Sequence, residues 1–285
     1  MSGDPAVVGP SDSQPSLGLP PREFCLHSLA RPYGLIFLSR VILRHPWRTI
    51  KGLLNYRRLC RRAAQEEGIT RFLVEPEELL EARLAQEKDR LLVAVGFCQK
   101  PLVPPCPAGR ANHDCRYFDG LDQRSQPGES DPACAACEVR KTGLLALEAG
   151  ASMHVMTSAL DIARDVLIPS VQKRRFSSVI MCLCPYSVQA IALPLIICGL
   201  RGYLLGYASG SCANWEQWLQ ADRGIKTGLT SLSPVAEAKL TSVLEGVAQV
   251  RRAEGRRYSR FDRQGNIYVP MSVETDGLRD SANLL

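Results

Sequence analysis

Five cysteines and one histidine fall within the 40 residues from Cys98 to Cys137. The stretch opens at Cys98 and runs through Cys106-Pro107-Ala108, His113 and Cys115. After a polar loop it closes on Cys134-Ala-Ala-Cys137. Thiols at this density, with a two-residue spacer in the last pair, can grip one soft metal ion or an iron–sulfur cluster. Prolines and glycines break the segment and leave it little apolar material to pack. A bound metal is therefore the simplest agent that would order it. Cys134-x-x-Cys137 also fits a redox pair, but such pairs sit at strand-to-helix turns. This one follows a polar loop, which favours ligation. His113 lies two residues from Cys115 and could ligate, although a lone loop histidine is more often simply exposed.

The other cysteines need separate treatment. Cys182-x-Cys184 lies at the end of an apolar run, and side chains alternate along a strand. One of the two, Cys182, is therefore expected in the core. Cys184 precedes Pro185 and a helix start, a place that lowers thiol pKa, so it is either a ligand or a reactive thiol. Cys25, Cys60 and Cys198 read as small buried hydrophobes, and His154 as structural.

These residues need elements to position them. The 285 residues are 45% hydrophobic, enough for a real core. Four short apolar runs read as strands: Leu91–Phe97, Met153–Met156, Ser178–Leu183 and Gly202–Tyr207. Helical patterns separate them over Cys137–Gly150, Ala159–Lys173 and Ser187–Leu200. Strands alternating with helices give βαβ units and a parallel sheet. The expected fold is α/β: a small parallel, Rossmann-like sheet with flanking helices, a cysteine-rich loop insert and an N-terminal basic helical hairpin. Sites on such sheets form at the carboxyl ends of the strands. Three of the four strands end at or just before a cysteine, namely Cys98, Cys184 and Cys212. The loop carrying Cys106, Cys115, Cys134 and Cys137 leaves from the same edge. The sequence-distant thiols should therefore share one region, with Cys98, Cys106, Cys115, Cys134, Cys137, Cys184 and Cys212 as the candidate metal ligands.

Four regions follow. Residues 1–30 are expected to be a disordered tail and 31–75 a basic amphipathic helical region. Residues 76–232 form the cysteine-rich α/β domain, and 233–285 a C-terminal helix and polar tail with a possible edge strand at Asn266–Val269. The net charge of +6 is concentrated: Arg31 to Arg62 carries nine Arg/Lys and no acid. Within it, Trp47, Ile50, Leu53 and Leu54 recur at helical spacing. That surface suits an anionic membrane or an acidic protein partner. No recognition motif for nucleic acid accompanies the charge.

The N-terminus lacks an apolar secretory core, so a cytoplasmic protein with reduced thiols is expected, possibly peripheral on the inner membrane face. The most apolar run, Val188–Leu200, is too short to span a bilayer. There is no Walker loop, no Gly-x-Gly-x-x-Gly after a strand and no Ser-His-Asp arrangement.

The order of motifs resembles a known family. A strand ends in Cys98, followed by Cys106-Pro107-Ala108, Cys134-x-x-Cys137, a helix, Cys184-Pro185-Tyr186 at a strand end, and Gly210-x-Cys212. This is similar to the cysteine-rich prokaryotic family called domain of unknown function one hundred and sixteen, over about Leu91 to Leu229. The additional Cys115 and the acidic, Gly-rich insert between Cys106 and Cys134 depart from it. The resemblance implies a metal- or cluster-binding α/β protein and assigns no reaction. The expected function is thus a metal protein, iron–sulfur by preference because more than four thiols gather, with an accessory or redox role in a biosynthetic pathway. The alternative is a non-catalytic zinc-stapled scaffold whose basic helices recruit a partner or a membrane surface.

Overall fold

A computed structural model describes residues 27–62, 68–72, 77–86, 90–120 and 131–273. The expected tail lies outside the described residues up to position 26, as do Cys25 and the side chain of Cys60.

The chain folds as a mixed α/β sheet. Among the described residues there are eight strands: β1 (Ile69–Arg71), β2 (Leu91–Gly96), β3 (Ser152–Met156), β4 (Ser178–Leu183), β5 (Arg201–Ser209), β6 (Ser231–Leu232), β7 (Tyr258–Gln264) and β8 (Ile267–Ser272). Their order is β1-β5-β4-β2-β3-β8-β7, with β6 pairing β5. The pairs β2–β3, β2–β4 and β4–β5 are parallel. These are the four strands expected from the apolar runs.

The sheet extends beyond them. β1 and β6 add antiparallel to β5, and the β7–β8 hairpin adds to β3 through Met153↔Tyr268. The strand expected at Asn266–Val269 begins one residue later, as β8, and is not an edge: it lies between β3 and β7, and β7, from the basic stretch before it, is the edge.

The central strands are buried on both faces, so their sequences run apolar without a polar phase. Alternation still sorts them by face. Leu91, Val93, Val95, Ile180, Cys182, Tyr203 and Leu205 pack on one side, with Leu147, Leu240, Val243, Leu244 and Val247. Leu92, Ala94, Val179, Met181, Leu183 and Leu204 pack on the other, with Val166, Leu195 and Ile197. Helices Glu77–Gln86, Glu138–Glu148 and Pro234–Ala253 contribute to the first layer, and helix Pro185–Ile197 to the second. The long C-terminal helix begins at Ser233, whose hydroxyl accepts from the Ala236 amide, with Pro234 in its first turn.

The basic hairpin comprises a helical segment over Pro32–Phe37, continued as a π-helix over Leu38–Ile42, and the helix Pro46–Arg62. It docks on the second face by Val41, Gly52 and Tyr56. A Cβ at Gly52 would meet the Ile197 backbone at 2.7 Å, so the glycine permits the close approach. The apolar stripe read from the sequence turns the other way. Trp47 is 82% exposed, and Ile50, Leu53 and Leu54 are exposed as well. Among the described residues no helix is long and apolar enough to cross a membrane. Helix Pro185–Ile197, with Pro194 inside it, is too short.

Candidate functional site

The parallel strands place Cys98, Cys184 and Cys212 just beyond the carboxyl ends of β2, β4 and β5. The strand order reverses at β2, because β3 lies on one side of it and β4 on the other. A crevice at such a reversal is where ligands bind in open α/β sheets. Tyr207 on β5 fixes the geometry there. Its hydroxyl accepts from the Gly96 amide at 2.9 Å and lies 2.8 Å from the Cys182 carbonyl oxygen, tying the ends of three strands together. Burial holds this phenol well above its ordinary pKa, so it stays protonated.

Cys98 is buried, and the Thr230 hydroxyl donates to its sulfur at 3.1 Å. Burial pushes the Cys98 thiol up. Cys184 and Cys212 are neighbours, each perturbing the other's ionisation. The Cys212 amide also lies 3.2 Å from Cys184 Sγ. Lys226 Nζ lies 3.0 Å from Cys212 Sγ and 3.9 Å from Cys184 Sγ. The neighbouring Cys184 thiol and the Lys226 ammonium lower Cys212 to about 6, although burial opposes this. The same pairing holds Cys184 well above the thiol range, and burial adds to the effect. The helix start at Pro185 pointed to a lowered pKa at Cys184; the lowered thiol is its neighbour Cys212.

The loop thiols form a second group. Lys100 is 1% exposed, and its ammonium has four oxygens within reach: Gly109 O at 3.0 Å, Asn112 O at 2.8 Å, Asn112 Oδ1 at 2.6 Å and Asp114 O at 2.7 Å. Burial lowers the Lys100 pKa, while Cys106, Cys115, Asp114 and Cys137 act to raise it. Cys134 in turn feels Cys137 and Cys106. Cys106, Cys115 and Cys137 thus lie near this cation, and Cys134 lies near Cys106 and Cys137. Burial pushes Cys115 up to about 12 and raises Cys134 and Cys137. Local caps hold the last pair in place: Asp131 accepts from the Ala133 amide at 2.9 Å, and Cys137 is the N-cap of helix Glu138–Glu148. Cys115 is fixed by its amide, which donates to the Tyr268 hydroxyl at 2.8 Å.

Of the seven cysteines named from the sequence, Cys98, Cys184 and Cys212 lie beyond strand ends and line one cavity, while Cys106, Cys115, Cys134 and Cys137 lie in the segment between β2 and the next long helix. As they stand, no group of three or more His, Cys, Asp or Glu side chains among the described residues is arranged to hold a metal ion. Cys182 is wholly buried, as expected of a core residue, and burial pushes Cys198 up to about 12. His113 is not exposed: its Nδ1 lies 2.8 Å from Val155 O and its Nε2 3.4 Å from Asp161 Oδ2. His154 is fully buried beside it, and burial lowers its pKa to about 3, so it is neutral.

Sequence reasoning missed Lys100, Arg110, Tyr207, Lys226 and Thr230. Arg110 joins the two groups. Its guanidinium donates to the carbonyls of Lys100 (3.3 Å), Cys98 (3.0 Å), Lys226 and Gly228. The one available signal was a lone Lys or Arg placed beside each cysteine segment.

No family model, curated protein or solved structure matches the chain. The family resemblance rests on the motif order alone.

Proposed function

We propose that the chain is a thiolate metal protein in which Cys106, Cys115, Cys134 and Cys137 hold an iron–sulfur cluster, with an accessory or redox role in a biosynthetic pathway. The observation that supports this reading is that Cys106, Cys115 and Cys137 lie near the buried ammonium of Lys100, with Cys134 next to Cys106 and Cys137. Four thiolates on a cluster or on zinc leave the site negative, and a fixed cation beside it offsets part of that charge. The ligands come from two separate segments, so binding requires the short helix Pro132–Ala135 and the Cys106–Cys115 loop to draw together. The strand order, with its reversal at β2, supports a Rossmann-like reading of the sheet. Zinc on the same four thiols is the alternative occupant.

Anaerobic purification followed by iron, sulfide and zinc analysis tests the proposal. A brown protein that loses its iron in Cys134→Ser and Cys137→Ser is expected. A colourless protein with one zinc selects the zinc form, and the absence of bound metal after reconstitution overturns both.

A second reading concerns the partner. Trp47 at 82% exposure, with Ile50 and Leu54 beside Arg48 and Lys51, favours attachment of the hairpin to an anionic membrane surface. On this reading the protein is cytoplasmic and peripheral on the inner face of the membrane, and an acidic protein partner is the competing occupant.

A further inference from the structure

Cys98, Cys184, Cys212 and Lys226 are not needed by the proposed metal site, yet all four line a cavity of about 360 Å³. Its walls are apolar and come from Phe37, Met156, Ile162, Leu183, Ile191 and Ile197. A cavity of this size and lining suits a small ligand with a hydrocarbon or aromatic body. Among the lining residues are two neighbouring thiols, with the Cys212 amide donating to Cys184 Sγ at 3.2 Å and one ammonium in reach of both sulfurs. Neither cysteine is joined to another by a disulfide.

We propose that Cys184 and Cys212 are a redox-active dithiol that reduces a small disulfide with an apolar body, bound in this cavity. Cys212 is the attacking thiol and Cys184 the resolving one. The Cys212 thiolate forms a bond to one sulfur of R–S–S–R, the S–S bond breaks, and R–S⁻ leaves beside Lys226. Cys184 passes its proton to that thiolate. Its sulfur then attacks Cys212 Sγ, closing the Cys184–Cys212 disulfide and releasing the second R–S⁻. Two electrons pass from the dithiol to the substrate, which is itself the oxidant; two molecules of a small thiol, by the reverse exchange, supply the two electrons that return the dithiol. The division of labour follows the contacts. Cys212 carries the nearer cation, and so it is the thiolate; Cys184, farther from Lys226, holds the proton that the first leaving group needs.

The inference goes beyond the metal reading and uses none of its ligands, so the two fail separately. The test treats the reduced full chain with 2,2′-dithiodipyridine, a neutral aromatic disulfide, follows thiopyridone release, and maps the products by mass spectrometry. The unaltered chain is expected to release two thiopyridones in a fast phase and to yield a Cys184–Cys212 peptide. Cys184→Ser should release one and retain the mixed disulfide on Cys212, which also shows that the variant is folded and reactive. Lys226→Met should slow the fast phase at pH 6 by roughly tenfold, as the thiolate fraction falls. Ala190→Phe, which fills the cavity, should slow 2,2′-dithiodipyridine more than glutathione disulfide. A crosslink between other cysteines, a fast phase that survives Cys212→Ser, or metal that leaves with Cys184→Ser and Cys212→Ser while no crosslink forms in the unaltered chain would overturn the proposal.

Discussion

The guanidinium of Arg110 donates to the main-chain carbonyl of Lys226, whose own ammonium lies 3.0 Å from Cys212 Sγ. A residue of the cysteine-rich loop thus sets the position of a cation that belongs to the other thiol group. The same guanidinium bonds the carbonyls of Lys100 and Cys98, so it also anchors the start of the loop.

Replacing Arg110 should act on both groups. Arg110→Met leaves four carbonyls without their charged donor, at a cost of about 2 kcal/mol in unfolding free energy. It should also free the Lys226 segment and weaken the hold on the Cys212 thiolate. Cys212 is lowered to about 6, first by Cys184 and then by Lys226. The alkylation rate of Cys212 follows its thiolate: it is high above the midpoint and falls as pH drops through it. In the unaltered chain that midpoint should lie near 6, and in Arg110→Met it should move towards the ordinary thiol range. An iodoacetamide rate profile from pH 5 to 9, read by peptide mapping, checks this. An unchanged midpoint would show that Lys226 is positioned without Arg110.

Much of this arrangement is legible in the sequence. The four parallel strands are continuous apolar runs, and a strand buried on both faces leaves that signature. The carboxyl-edge rule then places Cys98, Cys184 and Cys212 together before any coordinate is seen. What is not legible depends on single contacts between distant positions. Nothing local marks Lys100 as buried, because lysine normally remains in water. Its burial is fixed by four oxygens from a loop that reads as unstructured. The β7–β8 hairpin was half-seen for a related reason: Arg260, Asp262 and Arg263 face solvent, and only Phe261 reports burial in β7. The apolar stripe of the basic helix was visible, but its direction was not, since Gly52 and Tyr56 decide which face docks.

Lys100 also changes the account of what orders the loop. The sequence leaves a bound metal as the simplest organiser, whereas the structure supplies a buried ammonium that bonds Gly109, Asn112 and Asp114. Lys100→Met removes the cation and strands those acceptors, a loss of about 3 kcal/mol. Limited proteolysis should then cut between Cys106 and Cys115 while β4 stays protected. Chelation, or Cys134→Ser with Cys137→Ser, should leave Cys106–Cys115 protected and expose only the Pro132–Cys137 segment. If chelation opens the whole loop as widely as Lys100→Met does, metal is the organiser after all.

The metal reading predicts a steep pH dependence. Cys115, Cys134 and Cys137 all carry raised pKa values, with burial the largest cause in each. Each must lose a proton to ligate, so affinity strengthens with pH, by roughly tenfold per pH unit for every proton released. Zinc competition against a chromophoric chelator at pH 6.5, 7.5 and 8.5 measures this slope. Lys100→Met should weaken binding further, because the thiolates lose their neighbouring cation. A slope near zero would mean that the thiols are already ionised or are not the ligands.

The exposed stripe of the basic helix gives the last prediction. Trp47, Ile50 and Leu54 lie three and four residues apart on one face, and Arg44, Arg48 and Lys51 flank them in solvent. The helix is held to the sheet by Val41, Gly52 and Tyr56, so the stripe is free to meet a membrane without unfolding the hairpin. Each basic residue near an anionic surface contributes about 1 kcal/mol, and salt screens that term. The full chain should therefore sediment with phosphatidylserine vesicles and not with phosphatidylcholine vesicles, and raising the salt should release it. Trp47→Ser should weaken binding at every salt concentration, since it removes apolar insertion. Arg48→Gln with Lys51→Gln should weaken it mainly at low salt. Equal sedimentation with both vesicle types would exclude the anionic surface and leave an acidic protein as the partner for this face.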